Sequence, residues 1–517
     1  QSPAKAQRRK EKAFHDTRQR FAALRLCGRT LLAMQSSVTW NQFPLSRAST
    51  PSLTLRSTLL GLLSTSMATI IAVLLVPENP TAPGALFYSA LIMTAGLATA
   101  PVAAAIRQPK AILRGESLVA LAPIYWLLLD LLQGVYSLDH ITAEEVRLAF
   151  MGIGLFVAMV WIGAIQRPWR IPSIVIRSVS QEFSLNTYFG LALACFFIGM
   201  LNFAIACDFN VFEMVHYLGQ ERWAAPWGRG QLGGWDAFLD HLQYFGYLLP
   251  ILTVVIARRA GVRNARTLLC IAMSVVMTLF LAQSGSRRVI GVVAGMALIL
   301  WVLDQKQLRL KHLLTSVVAI VALLVTLQVM LEYRNVGLGA LVGQTDATLS
   351  SRTERRHVLE NQHLRVDDNF YRLSQIIQLI PGTYGYVYHQ YFIYVIVRPV
   401  PRVFWPEKPV DPGFDLPAAL GVEGVSFSYS VIGELYMSLG LLGIALGGWF
   451  YGRVAALASG LLKRSTTQGA LVIYSIIVMA LFSGMRSILE LILVSYVVLA
   501  WVGMSQVFIK LRRARSA

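Results

Sequence analysis

The sequence predicts an all-α integral membrane protein with about twelve transmembrane helices. Three observations predict it. Of the 517 residues, 55% are hydrophobic and only 14% charged, and the mean hydropathy is +0.56, outside the range of an ordinary soluble domain. Apolar runs of spanning length recur along the chain, separated by polar connections. The basic residues concentrate in alternate connections, so the net charge of +19 follows from topology and makes no case for nucleic acid. Cys27, Cys195, Cys207 and Cys270 have no metal-binding or redox spacing, and cysteine chemistry is not expected.

Taken in order, residues 1–58 carry eleven Lys/Arg against Glu11 and Asp16, and the first long apolar run begins only near Leu59. This reads as a basic cytoplasmic head and not as a secretory signal. Its stretch Phe21 to Met34 alternates Leu/Ala with Arg, which suits either contact with an anionic leaflet or a solvated tail. Spans are expected at 59–76, 85–106, 118–135, 148–165, 188–206, 240–257, 267–284, 289–303, 313–331, 431–451, 468–484 and 488–509. With both termini cytoplasmic, the head, the tail and the inner connections hold 31 of the 46 Lys/Arg, as the positive-inside rule requires. The organisation is therefore a basic head (1–58), nine spans (59–331), a large periplasmic loop (332–430), then three spans and a basic tail (431–517).

Two outer loops exceed a turn. The first, 207–239, holds Asp208, Glu213, Glu221 and Asp236 among Trp and Gly, and reads as a compact loop with an aromatic interfacial belt. In the second, Phe370, Leu373, Ile376, Ile377 and Ile380 recur at helical spacing, and Tyr391 to Val397 form an apolar run too short to span. An interfacial or partly re-entrant helix pair is expected there. It leads into Arg398-Pro-Val-Pro-Arg402-Val-Phe-Trp405-Pro-Glu-Lys408-Pro409, where four prolines predict a stiff, extended strap that does not fold back on its own charges. Such a strap would present Arg398, Arg402, Lys408, Phe404 and Trp405 to a phosphate-bearing, sugar-carrying ligand. The alternative is a proline-rich connection whose arginines reach lipid phosphates.

Topology does not explain the outer arginines. Arg287 and Arg288 follow Ser284-Gly-Ser between spans seven and eight, and Arg486 follows Ser483-Gly-Met between the last two. An arginine drawn towards the bilayer centre costs about 2.5–3.5 kcal/mol, so each needs a partner. Glu490 stands one turn after Arg486, and Asp130, Glu332 and Glu434 fall near outer helix ends. Together with Arg334, Arg398, Arg402 and Lys408, the outer charge exceeds what these acids cancel, which favours an anionic ligand over internal pairing.

Ser284-Gly-Ser-Arg287, Glu332-Tyr-Arg334, Pro401-Arg402-Val-Phe-Trp405-Pro-Glu-Lys408-Pro409, Ser430-Val-Ile-Gly433-Glu434-Leu-Tyr436 before Gly440 and Gly443, and Gly484-Met-Arg486 together resemble the bacterial O-antigen polymerases (Wzy type). The likeness runs from Ser284 to Glu490. It departs at the last motif, where Arg486-Ser-Ile stands in place of the Arg-Gly-Asp-like form. The resemblance implies a GT-C-like, multi-spanning glycosyltransferase of the bacterial inner membrane, active at the periplasmic face. Its donor and acceptor would both be oligosaccharide repeats on undecaprenyl pyrophosphate, its surroundings the bilayer, and a chain-length regulator protein a further partner. An O-antigen ligase would share the lipid donor and the outer arginines but transfer to a lipid A core, and the strap motif favours the polymerase. A transporter is the non-enzyme alternative, for which paired repeats, broken helices and charge near the midplane would be expected.

The chemistry assigns roles within that expectation. Arg287 and Arg402 would stabilise charge on the departing pyrophosphate. Arg288, Arg334, Arg398, Lys408 and Arg486 would bind it. Glu434 is the first candidate base, because it starts a span at the outer face, and His389 is the second. Trp405, Phe404, Tyr384, Tyr386, Tyr388 and Tyr436 offer flat faces to sugar rings. No cofactor is expected, and no His/Asp/Glu group has metal-ligand spacing, so the reaction is expected to be metal-independent.

Overall fold

The computed structural model describes residues 54–516, except 135–137, 167–168, 170–171, 222–223, 228–235, 284–285, 334–362, 365, 399, 401–403, 410–411, 423–426 and 465–466. Among these residues every regular element is a helix. The elements used below are α1 (Leu55–Leu74), α2 (Phe87–Arg107), α3 (Gly115–Gln133), α4 (Ala143–Ile165), α5 (Leu185–Ala206), α6 (Val211–Leu218), α7 (Leu239–Ala260), α8 (Ala265–Gln283), α9 (Arg287–Leu303), α10 (Leu310–Tyr333), α11 (Asn369–Leu379), α12 (Gln390–Val397), α13 (Ser430–Arg464), α14 (Gln468–Ser483) and α15 (Ile488–Ser516).

Ten of these helices are long and apolar enough to cross a membrane. The protein is a multi-span α-helical membrane protein. The expected count of twelve is corrected in two places: the eighth and eleventh expected spans form α9, of 17 residues, and α14, of 16. α9 begins two residues before the expected 289–303 and α14 ends one residue before the expected 468–484, and both remain shorter than the other ten. α9 starts at Arg287 itself, and α14 ends at Ser483 in the turn before Arg486.

Two apolar cores hold the helices together. One joins α1, α2, α3, α4, α11, α12 and α13 as far as Ala455, and the other joins α5 to α10, the end of α13 from Ala458, α14 and α15. Small residues let α4 and α13 approach closely. A Cβ on Gly163 would run into the Trp449 carbonyl, and one on Gly452 into that of Val160. Lipid supplies no hydrophobic drive between helices, so backbone contact of this kind is the main source of packing energy.

α13 is not one straight helix. Leu439 and Gly440 leave helical geometry, with Gly440 at φ +62°. The break strands the carbonyls of Met437 and Ser438, which accept from the N–H groups of Val387 (2.9 Å) and Tyr388 (3.1 Å). Lipid-exposed backbone of this kind would be too costly, and here the loop satisfies it. α3 is also irregular, with a π-turn over Ile124–Leu128 between two α-helical parts.

The large loop departs from expectation. α11 forms where the periodicity places it, but Phe370, Leu373 and Ile376 are fully buried and the Phe370 ring lies 5.0 Å from that of Phe150. It is a core helix, not an interfacial one. α12 is half-buried, with Tyr391 and Val395 inward and Ile393 and Ile396 outward.

The two ends of the bundle differ. Gln133, at the end of α3, exchanges hydrogen bonds with Leu364 of the large loop (2.8 and 3.1 Å), while α3 begins next to Lys110, which donates to the Leu303 carbonyl at 2.9 Å. Nineteen helical residues separate these ends by about 28 Å. Cysteines placed at Gln108 and His363, both exposed, are therefore expected to react with an impermeant thiol reagent from opposite faces of oriented vesicles. Labelling of both from one face would overturn this arrangement.

Candidate arginine site at the loop end

The site grows from two turns. Ser286 ends the first, and α9 opens with Arg287 and Arg288. In the second, α14 closes on Gly484 and the Arg486 N–H donates to the Ser483 carbonyl (3.0 Å). This second turn is held rigidly. Tyr451 donates its hydroxyl to the Gly484 carbonyl (2.9 Å), the Val431 N–H reaches the Met485 carbonyl (2.9 Å), and Ser428 Oγ reaches that of Arg486 (3.0 Å).

The arginines converge on two carboxylates. Arg486 Nε donates to Asp367 Oδ2, and Arg287 Nη2 lies 3.4 Å from Asp367 Oδ1 and 3.4 Å from the Val366 carbonyl. Arg288 Nη1 pairs with Glu490 Oε1, which Arg486 Nη1 approaches at 3.6 Å. Burial pushes the Asp367 carboxyl up, but the guanidinium groups of Arg486, Arg287 and Arg288 outweigh it and hold the carboxyl below its ordinary range. Three guanidinium groups meet two carboxylates in these pairs, and Asp130 of α3 adds a third acid nearby, bonded by the Val366 backbone.

The expected partners change accordingly. Glu490 does approach Arg486, but its nearer partner is Arg288, and the main partner of Arg486 is Asp367. The sequence reasoning did not single out Asp367 as a partner. The available signal was Asp367-Asp-Asn immediately before the periodic run of α11, a helix-start pattern in which acids collect.

Glu434 meets the same turn from below. Its carboxylate accepts from Ser487 Oγ (2.6 Å), from the Ile488 N–H (2.6 Å) and from the Tyr391 hydroxyl. Beside it, burial first and the Glu434 charge second push the Tyr391 phenol well above its usual range. The arrangement caps the start of α15, because the first N–H groups of a helix lack intrahelical partners. Where a base was expected, the structure places a buried carboxylate that three donors already engage.

Among the described residues, the other expected side chains have no bond to this cluster. Arg334 and Arg402 lie outside the described residues. His389 is exposed at the start of α12. Tyr436 is buried, 6.3 Å ring to ring from Tyr386, whose hydroxyl stands over Gly440. Arg398 bonds the Tyr394 hydroxyl and lies over that ring at 5.2 Å. The strap itself is corrected. Arg398 is helical, the Lys408 N–H closes a turn onto the Trp405 carbonyl (3.2 Å), and Lys408 Nζ folds back to the carbonyls of Arg398 (3.0 Å) and Val400 (2.8 Å). Prolines remove donors and leave carbonyls in want of partners, and the nearest ammonium group supplies them. Trp405 and Phe404 remain on the surface, 40% and 68% exposed.

No protein-family model matches the chain, and no curated protein or solved structure matches it either.

Proposed function

We propose that this protein is a membrane glycosyltransferase that joins oligosaccharide repeats carried on undecaprenyl pyrophosphate, working at the face that bears the large loop, the periplasmic face of a bacterial inner membrane. The observation that carries the reading is the convergence of Arg287, Arg288 and Arg486 from two helix hairpins at one end of the bundle. Guanidinium groups at a bilayer boundary need anionic partners, and the N–H donors that hold Asp367 and Glu490 here match phosphate oxygens equally. In the reaction the acceptor hydroxyl forms a new bond to the anomeric carbon of the growing chain. The bond from that carbon to the phosphate oxygen breaks, undecaprenyl pyrophosphate leaves with the electron pair, and the hydroxyl proton passes to a base or to water. The arginines would stabilise the charge that develops on the leaving group. The motifs shared with O-antigen polymerases support the same assignment.

The test supplies purified, defined undecaprenyl-pyrophosphate repeat to the protein in nanodiscs. A ladder of lengthened lipid-linked products is expected, and it should persist in excess chelator. Transfer of one chain to a lipid A core with no ladder would support the ligase instead. The broken α13 and the π-turn in α3 are irregularities of the kind that transporters use, and they favour transport as a second reading. Movement of the labelled lipid across a vesicle membrane without elongation would establish that reading and remove the first.

A further inference from the structure

We propose that Asp367 and the pyrophosphate of an incoming lipid-linked substrate compete for the same two guanidinium groups, so that binding expels the Asp367 carboxylate and lifts Val366 and Asp367 from the end of α3. This rests on the glycosyltransferase reading and adds a positioning residue to it.

The geometry carries the inference. Each oxygen of Asp367 is taken by an arginine from a different hairpin, Oδ2 by Arg486 and Oδ1 by Arg287. A carboxylate bridging two guanidinium groups stands where a phosphate with the same oxygen geometry would stand. The two sides differ in how firmly they are held. Arg287 opens α9, and the turn carrying Arg486 is pinned by Val431, Ser428 and Tyr451. Asp367 sits on a connection. Besides its arginines, that connection is held by the Gln133 and Leu364 bonds, which are exposed, by the Val366 contacts to Asp130 and Arg287, by the Asn369 N–H on the Asp367 carbonyl (2.6 Å) and by burial of the small Val366 side chain. Each such bond contributes only about 0.5–1.5 kcal/mol net.

Charge favours exchange. A pyrophosphate ester brings more negative charge than one carboxylate to the guanidinium groups of Arg287 and Arg486, and the released Asp367 regains water. The movement has a natural end point. Asn369 is fully buried and donates to the Trp126 carbonyl in the π-turn of α3 (2.9 Å), and α11 beyond it is a core helix. The π-turn frees the carbonyl that anchors Asn369, so the irregularity in α3 has a use on this account.

The test measures binding of undecaprenyl pyrophosphate to the full chain in nanodiscs, for the wild type, Asp367→Asn and Asp367→Glu. Removing the competing charge should tighten binding about tenfold, and Glu should leave it near the wild-type value. A second readout uses Val366→Cys, at a buried position of the same connection, in a Cys27→Ser background, where the rate of reaction with an impermeant thiol reagent should rise on lipid addition. Asp367→Asn should be fast with or without lipid. Unchanged or weaker binding in Asp367→Asn would overturn the proposal and leave the glycosyltransferase reading standing. If that variant fails to fold, a reporter rate unmoved by saturating lipid in the otherwise wild-type chain overturns it equally. Phosphatidylglycerol nanodiscs alone should leave the reporter slow, and acceleration there would assign the node to bulk headgroups. Failure of the wild type to bind the lipid at all would remove both proposals.

Discussion

Lysine at position 287 or 486 is expected to lower product-ladder formation about a hundredfold, the usual size of losing one preorganised donor to a developing anion. Lysine keeps the charge but loses the fork, and the two bridges to Asp367 use guanidinium nitrogens at separate angles. Insertion and extraction should stay normal, because the turn around Arg486 is held by backbone bonds and not by its side chain. Ladder intensity normalised to protein level is the measurement. Near-wild-type ladders from both variants would take the active site away from this end of the bundle. The companion experiment on ion pairing belongs at Arg288 and Glu490. Replacing Arg486 and Glu490 together by Gln would deprive both Asp367 and Arg288 of a partner, whereas the Arg288/Glu490 Gln pair removes the two contacts of Glu490 and leaves both Asp367 bridges in place.

Leucine at Gly163 or Gly452 should prevent correct assembly of the bundle. At each site the new side chain would meet a backbone carbonyl of the facing helix, Trp449 or Val160, which cannot turn aside as a side chain can. Overpacking of this kind costs about 1–3 kcal/mol when side chains can yield, and more against backbone. The loss is not recovered elsewhere, since lipid gives separated helices no hydrophobic penalty. Both variants should reach the membrane, extract as polydisperse material and unfold at lower temperature. Gly460, on the same α13, has nothing within 4 Å of its Cβ position, so Gly460→Leu should behave as wild type. Equal behaviour of all three variants would mean that α4 and α13 do not cross as described.

Much of the architecture was legible in the residues. Each expected span coincides with a helix, because a membrane-spanning helix is announced by a continuous apolar run and satisfies its own backbone. The periodicity of Phe370, Leu373 and Ile376 likewise announced α11. Its depth was not announced. A helix with one apolar face suits a bilayer surface and a protein core equally well, and only packing against Phe150 distinguishes them.

The site divides along the same line. The sequence by itself determined where the arginines stand, at the turns before α9 and α15, since charge amid apolar runs is a local signal. Their partners were decided only in three dimensions. Asp367 reaches Arg287 across 80 residues and Arg486 across 119, and no local pattern records which loop carboxylate returns to which hairpin. Glu434 shows the converse. Its position at the start of a span suggested a base, and only the tertiary structure gave its donors, Ser487, Ile488 and Tyr391. The unpaired N–H groups at the start of α15 needed an acceptor, and once α13 had packed beside that turn, Glu434 was the acceptor within reach.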